Sequence, residues 1–176
     1  MQFAAVLDQI AQFLDARRQP WAVVGGVALA AYGVARTTLD LDLVVDAGIQ
    51  DDLVRFLEAA GYRTLYRSAG YSNHLHPEPD RGRVDLVYVR GETSRRLFAE
   101  LRRFKGPAGR EIPVPRPEHL AAMKVQAMHD DPSRSFQEMA DLRALLARPD
   151  VDRAEVRGYF ERHGLRERFD EILATL

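Results

Sequence analysis

An alternation of apolar and acidic residues over residues 39–45, LDLDLVV, restricts the fold of this chain more than any other feature. Because successive side chains of a β-strand point to opposite faces, the pattern predicts a strand with Asp40 and Asp42 on one face. The Cα atoms of the two aspartates are then about 6.5 Å apart, which is two strand rises. The other face carries Leu39, Leu41, Leu43 and Val45.

Two carboxylates this close repel each other and raise a pKa unless a cation lies between them. A divalent ion with oxygen ligands removes this conflict, and Mg²⁺ typically uses one or two carboxylates together with substrate phosphates. The pair therefore predicts an Mg²⁺ site at Asp40 and Asp42. A solvated strand edge is the alternative explanation for an Asp-x-Asp strand taken alone.

Gly25 and Gly26 lie upstream, between an apolar run that predicts a strand and a run of small apolar residues that predicts a helix. Backbone N–H groups at the start of a helix, with the positive end of its dipole, can hold a phosphate. A simple strand-to-helix turn is the alternative for the glycine pair alone. Together with Arg36 and Thr38, which lie between the glycines and the aspartates, the stretch combines the parts that phosphoryl or nucleotidyl transfer requires.

Residues 83–89, RVDLVYV, predict a second strand that is apolar on both faces except for Asp85. Carboxylates are rarely buried unless they are paired or bound to a metal. Asp85 is therefore a candidate third carboxylate of the site, provided that the two strands are neighbours. An ion pair between Asp85 and a nearby arginine is the alternative.

The composition sets outer limits on the fold and the function. A length of 176 residues fits one domain, or one domain with a small helical appendage. The chain has no cysteine, which excludes disulfides and thiolate metal sites, and its net charge of −1 gives no global attraction to nucleic acid. The sequence shows neither a signal-peptide pattern nor an apolar run near the length of about 18 residues that a membrane helix needs. We therefore expect a soluble, cytoplasmic protein without membrane contact.

The predicted elements are mixed α/β first and helical afterwards. This order predicts an α/β core over residues 1–115 and a C-terminal helical segment over 116–176, packed on the core. Besides those above, the patterns predict helices near 3–18, 50–60, 93–104, 118–129, 136–147, 153–162 and 165–176, and strands at 62–66, 71–75 and 111–114.

The glycine pair, the run Arg36-x-Thr38-x-Asp40-x-Asp42 and Asp85 resemble the nucleotidyltransferase superfamily related to DNA polymerase β. The chain is more closely similar to AbiEii-type and other minimal nucleotidyltransferases, many of them toxins of toxin–antitoxin pairs. The resemblance covers about residues 20–145. It implies a mixed β-sheet flanked by helices, with a C-terminal helical segment.

The resemblance also implies roles for individual residues. Asp40, Asp42 and Asp85 would be the catalytic carboxylates and would bind metal, with two Mg²⁺ ions about 3.5–4 Å apart. Gly25 and Gly26 would contact the triphosphate of an NTP. Arg36 or a catalytic Lys124 would neutralise phosphate charge, and Thr38 would orient the nucleotide or cap the turn.

In AbiEii-type proteins a downstream acidic pair accompanies the lysine, and here that pair would be Glu138 and Asp141, as nucleotide-binding residues. The sequence departs from the usual pattern at this point, because Gln137-Glu138 stands where a basic residue followed by aspartate is common. The alternative is that Glu138 and Asp141 cap or decorate a helix surface.

The resemblance implies transfer of a nucleoside monophosphate from an NTP to an acceptor hydroxyl. The acceptor could be RNA such as tRNA, an aminoglycoside-like small molecule or a protein, and an antitoxin protein is an implied partner. A non-catalytic nucleotide- or partner-binding domain of the same fold is the competing hypothesis.

Two further groups of residues have simpler explanations. His74 and His76 are expected on a solvated strand face. Arginines 95, 96, 102 and 103 are expected along one helix, where they form a solvated face or guide an RNA backbone.

Overall fold

A computed structural model of the chain describes residues 2–34 and 36–176, which divide into two compact units. The first unit contains residues 2–31 and 36–115, and the second contains residues 32–34 and 116–176. The helices are α1 (Phe3–Ala16), α2 (Gly25–Ala31), α3 (Gln50–Ala59), α4 (Gly91–Ala99), α5 (Pro117–Asp130), α6 (Ser135–Leu146), α7 (Arg153–Arg162) and α8 (Arg166–Leu173). The strands are β1 (Trp21–Val23), β2 (Asp40–Asp46), β3 (Arg63–Arg67), β4 (Tyr71–Leu75), β5 (Arg83–Val89), β6 (Arg102–Lys105) and β7 (Glu111–Val114).

A five-stranded mixed sheet with the order β1-β2-β5-β4-β3 forms the centre of the first unit. β2 and β5 are parallel, and the other neighbouring strands are antiparallel. The alternation in β2 has the predicted effect, because Leu41 and Leu43 are buried while Asp40 and Asp42 are only half-buried. The predicted fold class, a mixed sheet flanked by helices, is thereby confirmed.

The first helix and α3 contact each other beside this sheet. Val6, Leu7, Ile10 and Leu14 are buried in α1 at the spacing of one helix face. The rings of Phe13 in α1 and Phe56 in α3 stack with their centroids 4.2 Å apart. The apolar faces predicted for both helices thus lie in the core of the first unit.

The helix predicted over 93–104 is wrong in its second half. α4 ends at Ala99, and residues 102–105 form β6, which pairs antiparallel with β7. Hairpin pairing with β7 outweighs local helix propensity here, since each strand supplies the backbone partners of the other. Arg102 and Arg103 therefore lie on a strand and not on the helix of Arg95 and Arg96.

The prediction of a solvated face for His74 and His76 is also wrong. His74 is fully buried, and its ring nitrogens lie 2.8 Å from Ser72 Oγ and 3.1 Å from Thr64 Oγ1. His74 shares its face of the sheet with the fully buried Ser72 and Val84, so this face is covered, and burial lowers the pKa of His74. Which face of β4 is covered could not be read from the sequence.

The second unit is helical, as predicted, and α5 begins at Pro117 because proline suits the first turn of a helix. The side chain of Asp152 caps α7 by accepting from the N–H groups of Ala154 and Glu155. Over the described residues of both units, the helices are too short or too polar to cross a lipid bilayer.

Candidate functional site

Three carboxylates share one face of the central sheet. In the parallel pair β2–β5, Asp42 is directly opposite Asp85 and Asp40 is opposite Arg83. Neighbouring residues in register point to the same side of a sheet, so Asp40, Asp42 and Asp85 lie on one face, which we call the carboxylate face. The sequence prediction required the two strands to be neighbours, and they are.

Gly25 and Gly26 lie directly against this face. Gly25 has a φ of +60°, and a Cβ atom there would overlap the carboxylate of Asp42. A Cβ on Gly26 would lie only 2.6 Å from Cβ of Thr38. The glycine pair thus opens α2 and lets its backbone approach Asp42 and Thr38, which no residue with a side chain would allow.

Thr38 and Arg36 lie on the segment that leads into β2. The Thr38 hydroxyl donates to the carbonyl oxygen of Asp40 at 3.1 Å, which is the turn-capping role that the sequence left open for it. Arg36 is half-buried on the same segment. Contact of either residue, or of the two glycines, with a nucleotide stays a prediction.

Arg83 is a cation on the carboxylate face, paired with Asp85. Its Nε donates to Asp85 Oδ1 at 2.7 Å, and its Nη2 donates to the Tyr71 hydroxyl at 3.3 Å. The hydrogen bond to Asp85 raises the pKa of Arg83, which keeps the guanidinium charged. The ion pair that the sequence offered as an alternative for Asp85 is therefore present.

Burial and like charge act on the remaining groups of this face. Burial raises the pKa of Asp40, the charge of Asp85 raises it further, and Arg83 partly offsets both. Burial and then the charge of Asp85 also raise the pKa of Tyr71. The carboxylate face therefore carries more negative charge than Arg83 compensates.

The donor chemistry of this face fits a hard divalent cation, because carboxylate oxygens are the ligands that Mg²⁺ prefers. Among residues 2–34 and 36–176, however, no three histidine or acidic side chains converge as a ready ligand set. Asp85 Oδ1 accepts from Arg83, so a metal held by all three carboxylates would share Asp85 with that guanidinium. The metal site stays a prediction.

The second unit holds the other predicted residues in a buried ionic cluster between α5 and α6. Lys124 Nζ lies 2.9 Å from Glu138 Oε2 and 2.5 Å from Asp141 Oδ2. Arg134 Nη2 donates to the second oxygen of Glu138 at 2.7 Å. Glu138 and Asp141 are 2% and 4% exposed, so the alternative that they decorate a helix surface is wrong.

Three further residues lie on the carboxylate face that were not predicted as site residues: Arg83, Tyr71 and Asn73. Arg83 could have been found, because it precedes Asp85 by two residues and must share its face. Asn73 lies directly opposite Asp85 in the antiparallel pair β4–β5, with Tyr71 two residues before it. Their placement depends on strand pairing, which one sequence does not reveal.

Comparison with known proteins identifies relatives of the whole chain. Residues 11–175 match the model of a family described as nucleotidyl transferase AbiEii toxin, Type IV TA system. No protein with a curated description matches the sequence.

Several solved structures are similar in fold. ANT(2″)-Ia in complex with adenylyl-2″-tobramycin shares 17% identity at a TM-score of 0.65, over 95% of this chain and 99% of that one. Lincomycin-bound lincosamide adenylyltransferase LnuA shares 15% identity at a TM-score of 0.53, over 81% and 96% of the two chains. The Thermotoga maritima CCA-adding enzyme complexed with tRNA shares 18% identity at a TM-score of 0.50, over 93% of this chain and 45% of its own. Identities this low establish the shared fold alone.

Proposed function

The chain belongs to the AbiEii family of nucleotidyl transferases, and from this premise we propose that it is an Mg²⁺-dependent enzyme that transfers a nucleoside monophosphate to a hydroxyl of RNA. The observation that carries the proposal is the register of β2 and β5, with Asp42 opposite Asp85 and Asp40 on the same face. Carboxylates grouped in this way suit a divalent ion that would neutralise phosphate charge, and the glycine pair beside them suits the binding of a phosphate.

In the proposed reaction the acceptor hydroxyl oxygen forms a bond to the α-phosphorus of the NTP. The bond from that phosphorus to the β-phosphate oxygen breaks, and pyrophosphate leaves with the electron pair. The hydroxyl proton passes to a carboxylate of the site and then to solvent. Asp85 is our candidate for that carboxylate, because its strand lies between β2, which carries Asp40 and Asp42, and β4.

Asp40, Asp42 and Asp85 would hold the Mg²⁺, which when bound would neutralise developing charge on the phosphate oxygens. The chain's own groups have the other roles. The backbone at Gly25 and Gly26 would bind the triphosphate, and Thr38 keeps the start of β2 in place. We propose that Lys124, released in part from Glu138 and Asp141, neutralises phosphate charge.

RNA is our choice of acceptor because the family description names a toxin of a toxin–antitoxin system and because a tRNA-bound enzyme shares the fold. An antitoxin is accordingly a proposed partner, and an antitoxin-like neighbouring reading frame would support it. A small-molecule acceptor is the second candidate, favoured by the similarity in fold to ANT(2″)-Ia, whose structure contains adenylyl-2″-tobramycin.

The test is incubation of the purified protein with each α-labelled NTP, Mg²⁺ and total cellular RNA, in parallel with tobramycin and with the protein alone. We expect label in RNA and release of pyrophosphate. Asp42→Asn, which removes a charge at nearly constant shape, should abolish labelling without loss of the folded state. Label found only in tobramycin or only in protein would show that RNA is not the acceptor. Full activity of Asp42→Asn would contradict the carboxylate mechanism.

A further inference from the structure

A β-bulge in β3 places two side chains of that strand on the carboxylate face. Arg63 is opposite Leu75 and Thr64 is opposite His74, but the register then shifts so that Tyr66 is opposite Asn73. Residues three apart normally point to opposite faces of a strand, and the extra residue in the bulge brings Arg63 and Tyr66 to the same face. Bulges of this kind are frequent next to active sites.

This side of the carboxylate face is exposed and apolar. Tyr66 is 56% exposed, and Leu75 is 37% exposed. The Tyr66 ring lies 6.2 Å from the ring of Tyr71, with 37° between the ring planes. Arg83 donates a hydrogen bond to the Tyr71 hydroxyl. The exposed ring of Tyr66 therefore lies beside a second ring that this hydrogen bond holds in place.

The same surface carries a cation without a counter-charge. Arg63 is exposed, and within residues 2–34 and 36–176 its guanidinium forms no hydrogen bond and no ion pair. Apart from the site carboxylates, the face has no acidic side chain on β3 or β4. A cationic acceptor would find no carboxylate on β3 or β4, whereas an anion beside a flat ring would find both Arg63 and Tyr66.

We propose that Tyr66 and Arg63 form the platform that positions the end of a single-stranded RNA acceptor. Tyr66 stacks on the terminal base and Arg63 pairs with the adjacent phosphate. β3 lies two strands from β5, or about 10 Å, so a nucleotide stacked on Tyr66 can extend its ribose hydroxyl toward Asp85. This assignment rests on the proposed nucleotidyl transfer and names the residues that select its acceptor.

The test compares two variants with matched controls on the same strand. Tyr66→Leu removes the stacking ring from an exposed position, and Arg63→Ala removes the cation. Leu65→Ala changes the neighbouring bulge residue, and Arg67→Ala removes an arginine from the opposite face, where it pairs with Asp51. Melting temperatures establish that all four variants are folded.

The readouts are the KM for RNA, the KM for NTP and the direct binding of a fluorescent single-stranded oligoribonucleotide without NTP. Stacking on an aromatic side chain predicts about five- to a hundredfold weaker RNA binding for Tyr66→Leu, with an unchanged KM for NTP. Tyr66→Phe should retain RNA binding. Arg63→Ala should reduce the salt dependence of binding by about one phosphate contact. Both controls should resemble the wild-type protein.

The outcomes separate this inference from the proposed function. If the wild-type protein labels RNA but Tyr66→Leu and Arg63→Ala keep the wild-type KM for RNA, the platform is overturned and the proposed function stands. RNA binding that is weakened equally by Leu65→Ala or Arg67→Ala also overturns the platform, because the effect would then not be specific to Tyr66 and Arg63. If the wild-type protein labels no RNA at all, the proposed acceptor fails and the platform fails with it.

Discussion

At the scale of single residues, Gly25 shows why the sequence motif needs glycine. Its φ of +60° disfavours any residue with a side chain, and an added Cβ would displace the carboxylate of Asp42. Gly33 has a φ of +81° but has no atom near the position of a Cβ. Both glycines therefore have a backbone conformation that disfavours a side chain. At Gly25, but not at Gly33, an added Cβ atom would also overlap a residue of the site.

This pair gives our first prediction. Gly25→Ala should abolish nucleotidyl transfer and the rise in melting temperature that we expect from Mg²⁺ binding, because it moves Asp42. Gly33→Ala should lower the free energy of unfolding by roughly 1–2 kcal/mol and leave both properties intact. Activity and melting curves with and without Mg²⁺ distinguish the variants, and normal activity in Gly25→Ala would refute the close approach.

Asp40 gives a prediction with a defined pH dependence. Because the folded-state pKa of Asp40 is raised above its usual value of 3.8, its contribution to stability is present at low pH and is lost as the pH rises through the folded-state pKa. Asp40→Asn should therefore melt above the wild-type protein at pH 7 in EDTA, and the difference should shrink near pH 4. A variant that melts below the wild-type protein at pH 7 would contradict this.

Arg83 is predicted to compensate the carboxylates when no metal is bound. Arg83→Gln should lower the melting temperature in EDTA, because Asp85 loses its partner at 2.7 Å. The same variant should gain a larger rise in melting temperature from Mg²⁺, since a more negative site binds a cation more tightly. Asp85→Asn is the control, and it should lose the Mg²⁺ effect. An equal loss of stability with and without Mg²⁺ would make Arg83 purely structural.

At the scale of elements, the parts of the fold that a local pattern defines were predictable. The alternation over 39–45 and the single acidic residue in 83–89 correctly predicted β2 and β5 and the face of each aspartate. Strand pairing and the packing of a sheet face were not predictable: residues 102–105 are a strand because they pair with β7, and His74 is buried because its face of β4 is covered. The bulge that places Tyr66 on the carboxylate face likewise has no signal in the sequence of β3 alone.

The ionic cluster of Lys124 joins α5 to α6. The chain provides a matched control for this lysine, because its only other lysine is the exposed Lys105. Lys124→Met leaves the carboxylates of Glu138 and Asp141 buried without this cation and should lower the free energy of unfolding by about 3–5 kcal/mol. Lys105→Met should change it by less than about 0.5 kcal/mol. Urea denaturation measures both, and equal midpoints would show that the cluster adds no stability.

At the scale of the whole molecule, the two units divide the chemistry that the sequence presented as one motif set. Asp40, Asp42 and Asp85 belong to the first unit, and Lys124 belongs to the second. Residues 32–34 also belong to the second unit, where Arg148 donates to the carbonyl oxygen of Tyr32 at 2.6 Å. The sequence did not predict that residues 32–34 belong to the second unit, because Tyr32 has the pattern of the end of an ordinary helix.

The net charge of −1 implies that any attraction to RNA comes from local arginines, and this gives the last prediction. Transfer to RNA should fall steeply as the KCl concentration rises, because each phosphate contact releases counterions. Arg102→Ala combined with Arg103→Ala should make that dependence shallower, since both residues are exposed on β6. The control is Arg166→Ala combined with Arg168→Ala on α8, which removes two exposed arginines from the second unit. We expect its salt dependence to match that of the wild-type protein. Transfer to RNA that does not respond to salt would exclude a phosphate-tracking surface and would favour recognition of a small acceptor.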